Sequence, residues 1–273
     1  MIKMIKGKLK EATRLLFVNS LTFLNKSIII VEYPKSGGSW LGQLISEYLD
    51  IPFPRNKFPL LSKSVYHSHY QPKYLIPKNK KILWLVRDGR DVYVSFYYHQ
   101  LIWSNKNKLD PKTVTYTRKN IPFKDYSDVS NNLPGYLNYS FTHTPSKMHY
   151  FNFPGHWANY NKKWKIFLKK DNSNIYLLKY EDLLKNTEDT IRSLLINFFD
   201  IEVDEQRLKE VVHKFSFENQ TNRKKGVEDT NSFLRKGIVG DWKNYFNEEA
   251  KEIFKKHAGK ELIELGYEND LNW

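Results

Sequence analysis

The 273-residue chain contains no cysteine. Disulfides, thiolate metal sites and cysteine nucleophiles are therefore excluded, and the composition suits a reducing, cytoplasmic compartment. Also missing is any apolar run approaching the roughly 20 residues that a membrane-spanning helix needs. The opening residues 1–27, MIKMIKGKLKEATRLLFVNSLTFLNKS, scatter lysines through their apolar positions, so there is no continuous secretory core. Residues 1–26 read instead as an amphipathic helical extension that lies on the domain, the favoured placement, or on a membrane surface. Although 44 Lys and Arg against 30 Asp and Glu leave a net charge of +14, no block of five or six like charges occurs. The positive charge is spread over the surface and points to no specific nucleic-acid partner.

What is abundant is aromatic. Eighteen Tyr, 17 Phe and 7 Trp make up 15% of the chain, a composition suited to stacking on flat ligands. The length fits a single domain over 1–273 with a substantial core. Three continuous apolar runs, Ser27 to Tyr33, Lys81 to Val86 and Asn174 to Lys179, have the character of strands covered on both faces. Each is followed by a helical pattern: Ser39 to Leu49, Asp88 to Leu101, and Glu181 to Phe199 with a break near Asn186. Strand, turn and helix in repetition predict an α/β fold, a three-layer sandwich around a central parallel sheet, with its ligand at the carboxyl ends of the strands. Trp103 to Pro154 reads as a long irregular insert or lid. Helical patterns resume at Gly155 to Lys170, Asp204 to Phe215 and Glu248 to Leu265, with a polar loop over Glu218 to Gly240.

Residues 31–42 read VEYPKSGGSWLG, an apolar strand entering a glycine turn that opens onto a helix. Gly37 and Gly38 let successive N–H groups and the helix N-terminus converge on one anion, and Lys35 adds a positive charge at the rim. The usual nucleotide loop has its lysine after the glycines; here it precedes them. A plain strand-to-helix turn with Ser39 as the N-cap is the structural alternative. Beyond the second strand, Arg87 and Ser95 are spaced to grip one phosphate, Arg87 by a two-pronged hydrogen bond. Arg235, Lys236 and the flexible Gly237, in LRKGIVGDWKNYF, form a second compact phosphate clamp. Together these features imply a ligand with well-separated phosphates.

The segments PKSGGSW at 34–40, RDGRDVYVSFYYH at 87–99, LLKYEDL at 177–183 and RKGIVGDWKNYF at 235–246 resemble the cytosolic-type sulfotransferases. The resemblance implies transfer of a sulfuryl group from 3′-phosphoadenosine 5′-phosphosulfate (PAPS) to a hydroxyl or amine of a small-molecule or saccharide acceptor. The product would be adenosine 3′,5′-bisphosphate (PAP), and no metal would be required. It also implies that Lys35, Ser36, Gly37, Gly38 and Ser39 hold the 5′-phosphosulfate, with Trp40 near the adenine. Arg87, Ser95, Arg235, Lys236 and Gly237 would hold the 3′-phosphate, and Tyr180 and Phe217 would flank the base. A lysine rooted before the glycines can reach the bridging oxygen and offset charge gathering there as the bond breaks. His69, in VYHSHYQP, stands at the family's Lys-Thr-His stretch and is the expected general base, with His67 as substitute and His99 as a packing residue. The family's C-terminal dimer signature is missing from 243–268, which leaves the oligomeric state open. Two other classes fit parts of the pattern: a P-loop kinase or NTPase, and a non-catalytic polyanion-binding module.

Overall fold

The computed structural model describes residues 9, 12–20, 27–55, 62–75, 81–102, 111–143, 155–170 and 174–273. Four parallel strands, β1 (Ile28–Glu32), β2 (Val65–Ser68), β3 (Lys81–Val86) and β4 (Ile175–Lys179), form one sheet in the order β2-β1-β3-β4. β1 is buried along its whole length, as its IIIVE sequence requires of an inner strand flanked on both sides. β2 is a correction to the three strands expected. Its VYHS sequence has no continuous apolar run, yet all four residues are buried.

Residues 12–20 are helical (α1). The helices α2 (Gly38–Leu49), α3 (Gly89–Tyr97), α4 (Pro111–Asn120), α5 (Val129–Thr142), α6 (Trp157–Lys170), α7 (Tyr180–Lys185), α8 (Thr187–Asn197), α9 (Glu205–Lys214), α10 (Phe217–Thr221), α11 (Glu248–Phe254) and α12 (Lys260–Glu264) follow in order. The described chain divides into two compact units. One comprises Met1–Arg87, Pro145–Gly155 and Asn159–Ser216; the other comprises Asp88–Thr144, His156–Ala158 and Phe217–Trp273.

In the first unit, side-chain alternation along the strands sorts the core into two sides. Ile28, Ile30, Leu83 and Leu85 pack with Leu41, Leu44 and Ile45 of α2, Ile191 and Leu194 of α8, and Leu208 of α9. Trp84, between Leu83 and Leu85, faces the other way and stacks on Trp164 of α6, with ring centres 6.4 Å apart. Both tryptophans are fully buried. Such a pair adds about 0.5–1.5 kcal/mol beyond the area it buries. The result is three layers, helix, sheet and helix. The break near Asn186 is where expected: the Asn186 side chain accepts the Asp189 N–H and caps α8. α1 docks through Arg14, a buried residue whose Nη2 donates to the carbonyls of Arg55 and His67.

The second unit corrects the insert. The expectation of irregular structure over 103–154 fails within it, because α4 and α5 occupy most of its described part; residues 103–110 and 144–154 lie outside the described residues. Pro111 sits at the first position of α4, where its missing N–H costs nothing, and Asp128 caps α5. Along α5, Val129, Leu133, Tyr136, Leu137 and Phe141 form a buried stripe at helical spacing. Phe141 meets Tyr93 and Phe254, and Gly89 lets the chain approach closely, since a Cβ there would stand 2.7 Å from Trp157 and 2.9 Å from Phe254. Arg90 is held by Asp88 and Glu268 while its guanidinium lies 3.8 Å from the Trp242 ring and 4.4 Å from that of Trp273.

Candidate active site

In the first unit, the loop between β1 and α2 takes its shape from two positive-φ residues, Lys35 at 75° and Gly37 at 104°. Gly37 is required twice over. Its φ lies in the left-handed region, and a Cβ there would stand 2.6 Å from the Tyr180 ring. Gly37, and not Ser39, is the N-cap of α2, and the Ser39 hydroxyl instead accepts from Arg55 Nη2 at 2.9 Å. Ser36 is fully buried, and its hydroxyl has no hydrogen-bond partner. An orphaned hydroxyl beside a helix N-terminus suits a phosphate or sulfate oxygen. Arg87 donates from Nη1 to the Lys35 carbonyl at 3.1 Å and lies 4.5 Å over the Tyr180 ring. Trp40 meets Tyr180 edge-on at 6.0 Å and donates its indole N–H to the Phe215 carbonyl. The fold thus brings Lys35, Gly37, Trp40, Arg87 and Tyr180 together from three separate stretches of sequence.

Beside this loop lies a residue that sequence reasoning passed over. Glu32 ends β1, is 3% exposed, and accepts the Gly38 N–H at Oε2 (2.5 Å) while Oε1 stands 2.8 Å from His67 Nε2. A Cβ at Gly38 would lie 2.7 Å from both Glu32 Cδ and His67 Nε2, so glycine is imposed there by packing. His69 Nδ1 is 3.1 Å from the Glu32 carbonyl. Burial alone would raise the Glu32 pKa, but His67, His69 and the Gly38 N–H outweigh it and hold the carboxyl below its ordinary range. His69 is pushed down to about 4, chiefly by burial and then by His67, with Glu32 opposing. Glu32, His67 and His69 also have the donor types and spacing to surround a metal ion. Glu32 is engaged by Gly38 and His67, and His69 Nδ1 by the Glu32 carbonyl.

In the second unit, Arg235 is ion-paired to Glu228 and Asp241, and its guanidinium lies 4.4 Å from the Tyr98 ring. Lys236 donates to Asp241 at 2.9 Å and to the Tyr245 hydroxyl at 3.0 Å. Burial disfavours the charges here, yet Asp241 and Glu228 hold Arg235 protonated, the Tyr245 hydroxyl and Asp241 hold Lys236 protonated, and the two cations hold Asp241 ionised. The clamp expected from sequence therefore carries its own counter-ions. Its backbone is fixed by Asp91, which accepts the N–H groups of Gly240 (2.8 Å) and Trp242 (2.9 Å). Gly237, at φ 64°, packs under Phe217, where a Cβ would stand 2.4 Å from the ring. Ser95 lies in α3, partly buried. His99 meets Phe96 edge-on, a packing role as expected.

The family model for the sulfotransferase domain matches residues 52–266. The chain belongs to the sulfotransferase family. Sulfotransferase 1B1 of Canis lupus familiaris is 27% identical over 283 residues, covering 87% of this chain and 85% of the relative. Sulfotransferase 1E1 of Rattus norvegicus is 27% identical over 280 residues, covering 86% and 83%. Among solved structures, mouse sulfotransferase SULT7A1 complexed with PAP shares the fold at a TM-score of 0.62 and 20% identity, covering 95% of each chain. Retinol dehydratase in complex with androsterone and inactive cofactor PAP aligns at 0.61 and 17%, covering 92% of this chain and 85% of that one. The matched span takes in His69, Arg87, Ser95, Tyr180, Phe217 and Arg235 to Gly237; the anion loop precedes it. Among the described residues no helix of this sulfotransferase is long and apolar enough to cross a membrane.

Proposed function

We propose that this sulfotransferase moves a sulfuryl group from PAPS to a hydroxyl or amine of a small-molecule or saccharide acceptor, releasing PAP. The observation that carries the reading is the β1–α2 loop, in which the buried, unpartnered Ser36 hydroxyl stands between Lys35 and Gly37 at a helix N-terminus. Ser36, Gly37 and Ser39 take the 5′-phosphosulfate, while Gly38, expected to join them, donates its N–H to Glu32 and serves the close packing of the loop; Arg87, Ser95, Arg235, Lys236 and Gly237 take the 3′-phosphate; Trp40, Tyr180 and Phe217 contact the adenine. Transfer is in line. His69 takes the acceptor's proton as the new S–O bond forms, and Lys35 offsets the charge left on the bridging oxygen as the old bond breaks. No metal ion takes part in this scheme. The chain acts as a single catalytic domain in the cytoplasm, and the insert over 103–154 serves acceptor binding.

Family membership favours this reading over a kinase or a polyanion-binding module. The test is thermal denaturation with PAP, AMP, and ATP plus magnesium. PAP should raise the melting temperature most. Equal shifts from PAP and AMP would sink the two-phosphate donor site. Incubation with sulfate-labelled PAPS and a panel of phenols, alcohols, amines and sugars, read by mass increase, then identifies the acceptor.

A further inference from the structure

A buried carboxylate is out of place at the root of an anion-binding loop, where its charge opposes the ligand. Glu32 nonetheless holds three things at once. Its Oε2 takes the first N–H of α2, at Gly38; its Oε1 takes His67 of β2; and its backbone carbonyl takes Nδ1 of His69. The last contact settles a tautomer. A carbonyl oxygen can only accept, so in the neutral ring Nδ1 carries the proton and Nε2 carries the lone pair. The His67 and His69 rings meet edge to face at 4.9 Å, which places the Glu32–His67 pair directly beside the base. The other charged or titratable groups on this cluster are Arg14 of α1, which donates to the His67 carbonyl and disfavours a charged His69, and the buried Tyr160 of α6, which senses the Glu32 charge.

We propose that Glu32 is a positioning residue for sulfuryl transfer, tying the donor loop at Gly38 to the base: its carbonyl fixes His69 with Nε2 as proton acceptor, and its carboxylate offsets the charge His69 gains. The inference rests on the reading of His69 as general base. In the step itself the acceptor oxygen bonds to sulfur, the bond from sulfur to the bridging oxygen breaks, and the acceptor's proton passes to His69 Nε2. PAP leaves with the bridging electron pair, and the imidazolium returns its proton to solvent. Through this sequence the negative charge of Glu32 faces a ring that goes from neutral to positive. The desolvated ring charges reluctantly, so the nearby carboxylate matters more here than it would at a surface.

The test combines kinetics with spectroscopy. Glu32→Gln keeps an oxygen for Gly38 but removes the charge. It should lower kcat roughly tenfold, the equivalent of one pKa unit of lost imidazolium stabilisation, while PAP affinity by calorimetry stays within about threefold of wild type. Glu32→Asp, which keeps the charge, should recover part of the rate. A Glu32→Gln enzyme with kcat within twofold of wild type overturns the proposal, as does loss of PAP binding in parallel with rate. Should Glu32→Gln not fold, ¹⁵N NMR of the wild-type histidine rings decides: neutral His69 must show the Nδ1–H tautomer, and the Nε2–H form overturns the assignment. Full turnover in His69→Ala would remove the base reading itself, a result distinct from either of these.

Discussion

The Arg87 guanidinium lies 4.5 Å above the Tyr180 ring, and the same arginine reaches the Lys35 carbonyl. A side chain proposed to hold the donor is thus braced by an aromatic and by the anion loop. Tyr180→Phe keeps the ring and should leave PAP affinity nearly unchanged. Tyr180→Ala removes the ring from beneath the cation and should weaken binding by about 1–2 kcal/mol, the range for a partly desolvated cation–π contact. Calorimetric titration with PAP is the check, and equal losses in the two variants would count against the stack.

Arg235→Ala should weaken PAP binding by about 1.5–3 kcal/mol, the range for a hydrogen bond to a charged group. Stability should suffer little, because Asp241 keeps Lys236 and the Asn244 amide, both at 2.9 Å. AMP, which lacks the 3′-phosphate, should bind the variant and the wild type alike. A variant that unfolds, or that loses AMP as well, would assign Arg235 to the scaffold.

In the proposed mechanism Lys35 meets charge that develops only as the bridging bond breaks, and on that reading Lys35→Ala should lower kcat much more than donor affinity. Single-turnover rates set beside PAP dissociation constants separate the two. Parallel losses would make the lysine a tether for the ground state.

For His69 the sign of the pH dependence follows from its surroundings. Its pKa is lowered to about 4, so the neutral, proton-accepting ring persists well below the ordinary histidine value of about 6.5. Turnover, as kcat/KM, should therefore run level through pH 6.5 and fall only as the pH approaches about 4, while His69→Ala should lose most activity at every pH with PAP binding intact. A wild-type midpoint near 6.5 would mean that the ring is solvated during turnover.

The strands β1, β3 and β4 were legible because continuous Ile, Val and Leu runs leave a parallel strand as the simplest reading, but β4, at the sheet edge, is not covered on both faces as expected: its Leu177 is 38% exposed. β2 was not, since two of its four residues, His67 and Ser68, are polar, and their burial depends on partners far away in sequence. The motif residues Lys35, Gly37, Arg87 and Tyr180 were legible as types, and their meeting around one ring was not. Within RDGRD, Arg87 was legible as a phosphate grip, and the structure sets it against the Lys35 carbonyl and the Tyr180 ring. Asp88 and Gly89 serve the helix start and close packing, and Asp91 carries the Gly240 and Trp242 backbone. The carboxylates on Arg235 and Lys236 escaped notice because Glu228 comes from a loop without periodicity. Glu32 left one usable signal, a charged residue closing a strand otherwise built for complete burial.

Gly38 also constrains how this chain could have arisen or be rebuilt. Positions 32, 38 and 67 belong to three elements, β1, α2 and β2, yet any side chain at 38 strikes both of the others. Adding the side chain first forces a steric collision; shrinking Glu32 or His67 first strands the remaining partner in the interior. Each single step is disfavoured, and only the combined exchange is smooth. A chimera that imports the 34–40 loop from a relative with a side chain at 38 must carry its residues at 32 and 67 along with it.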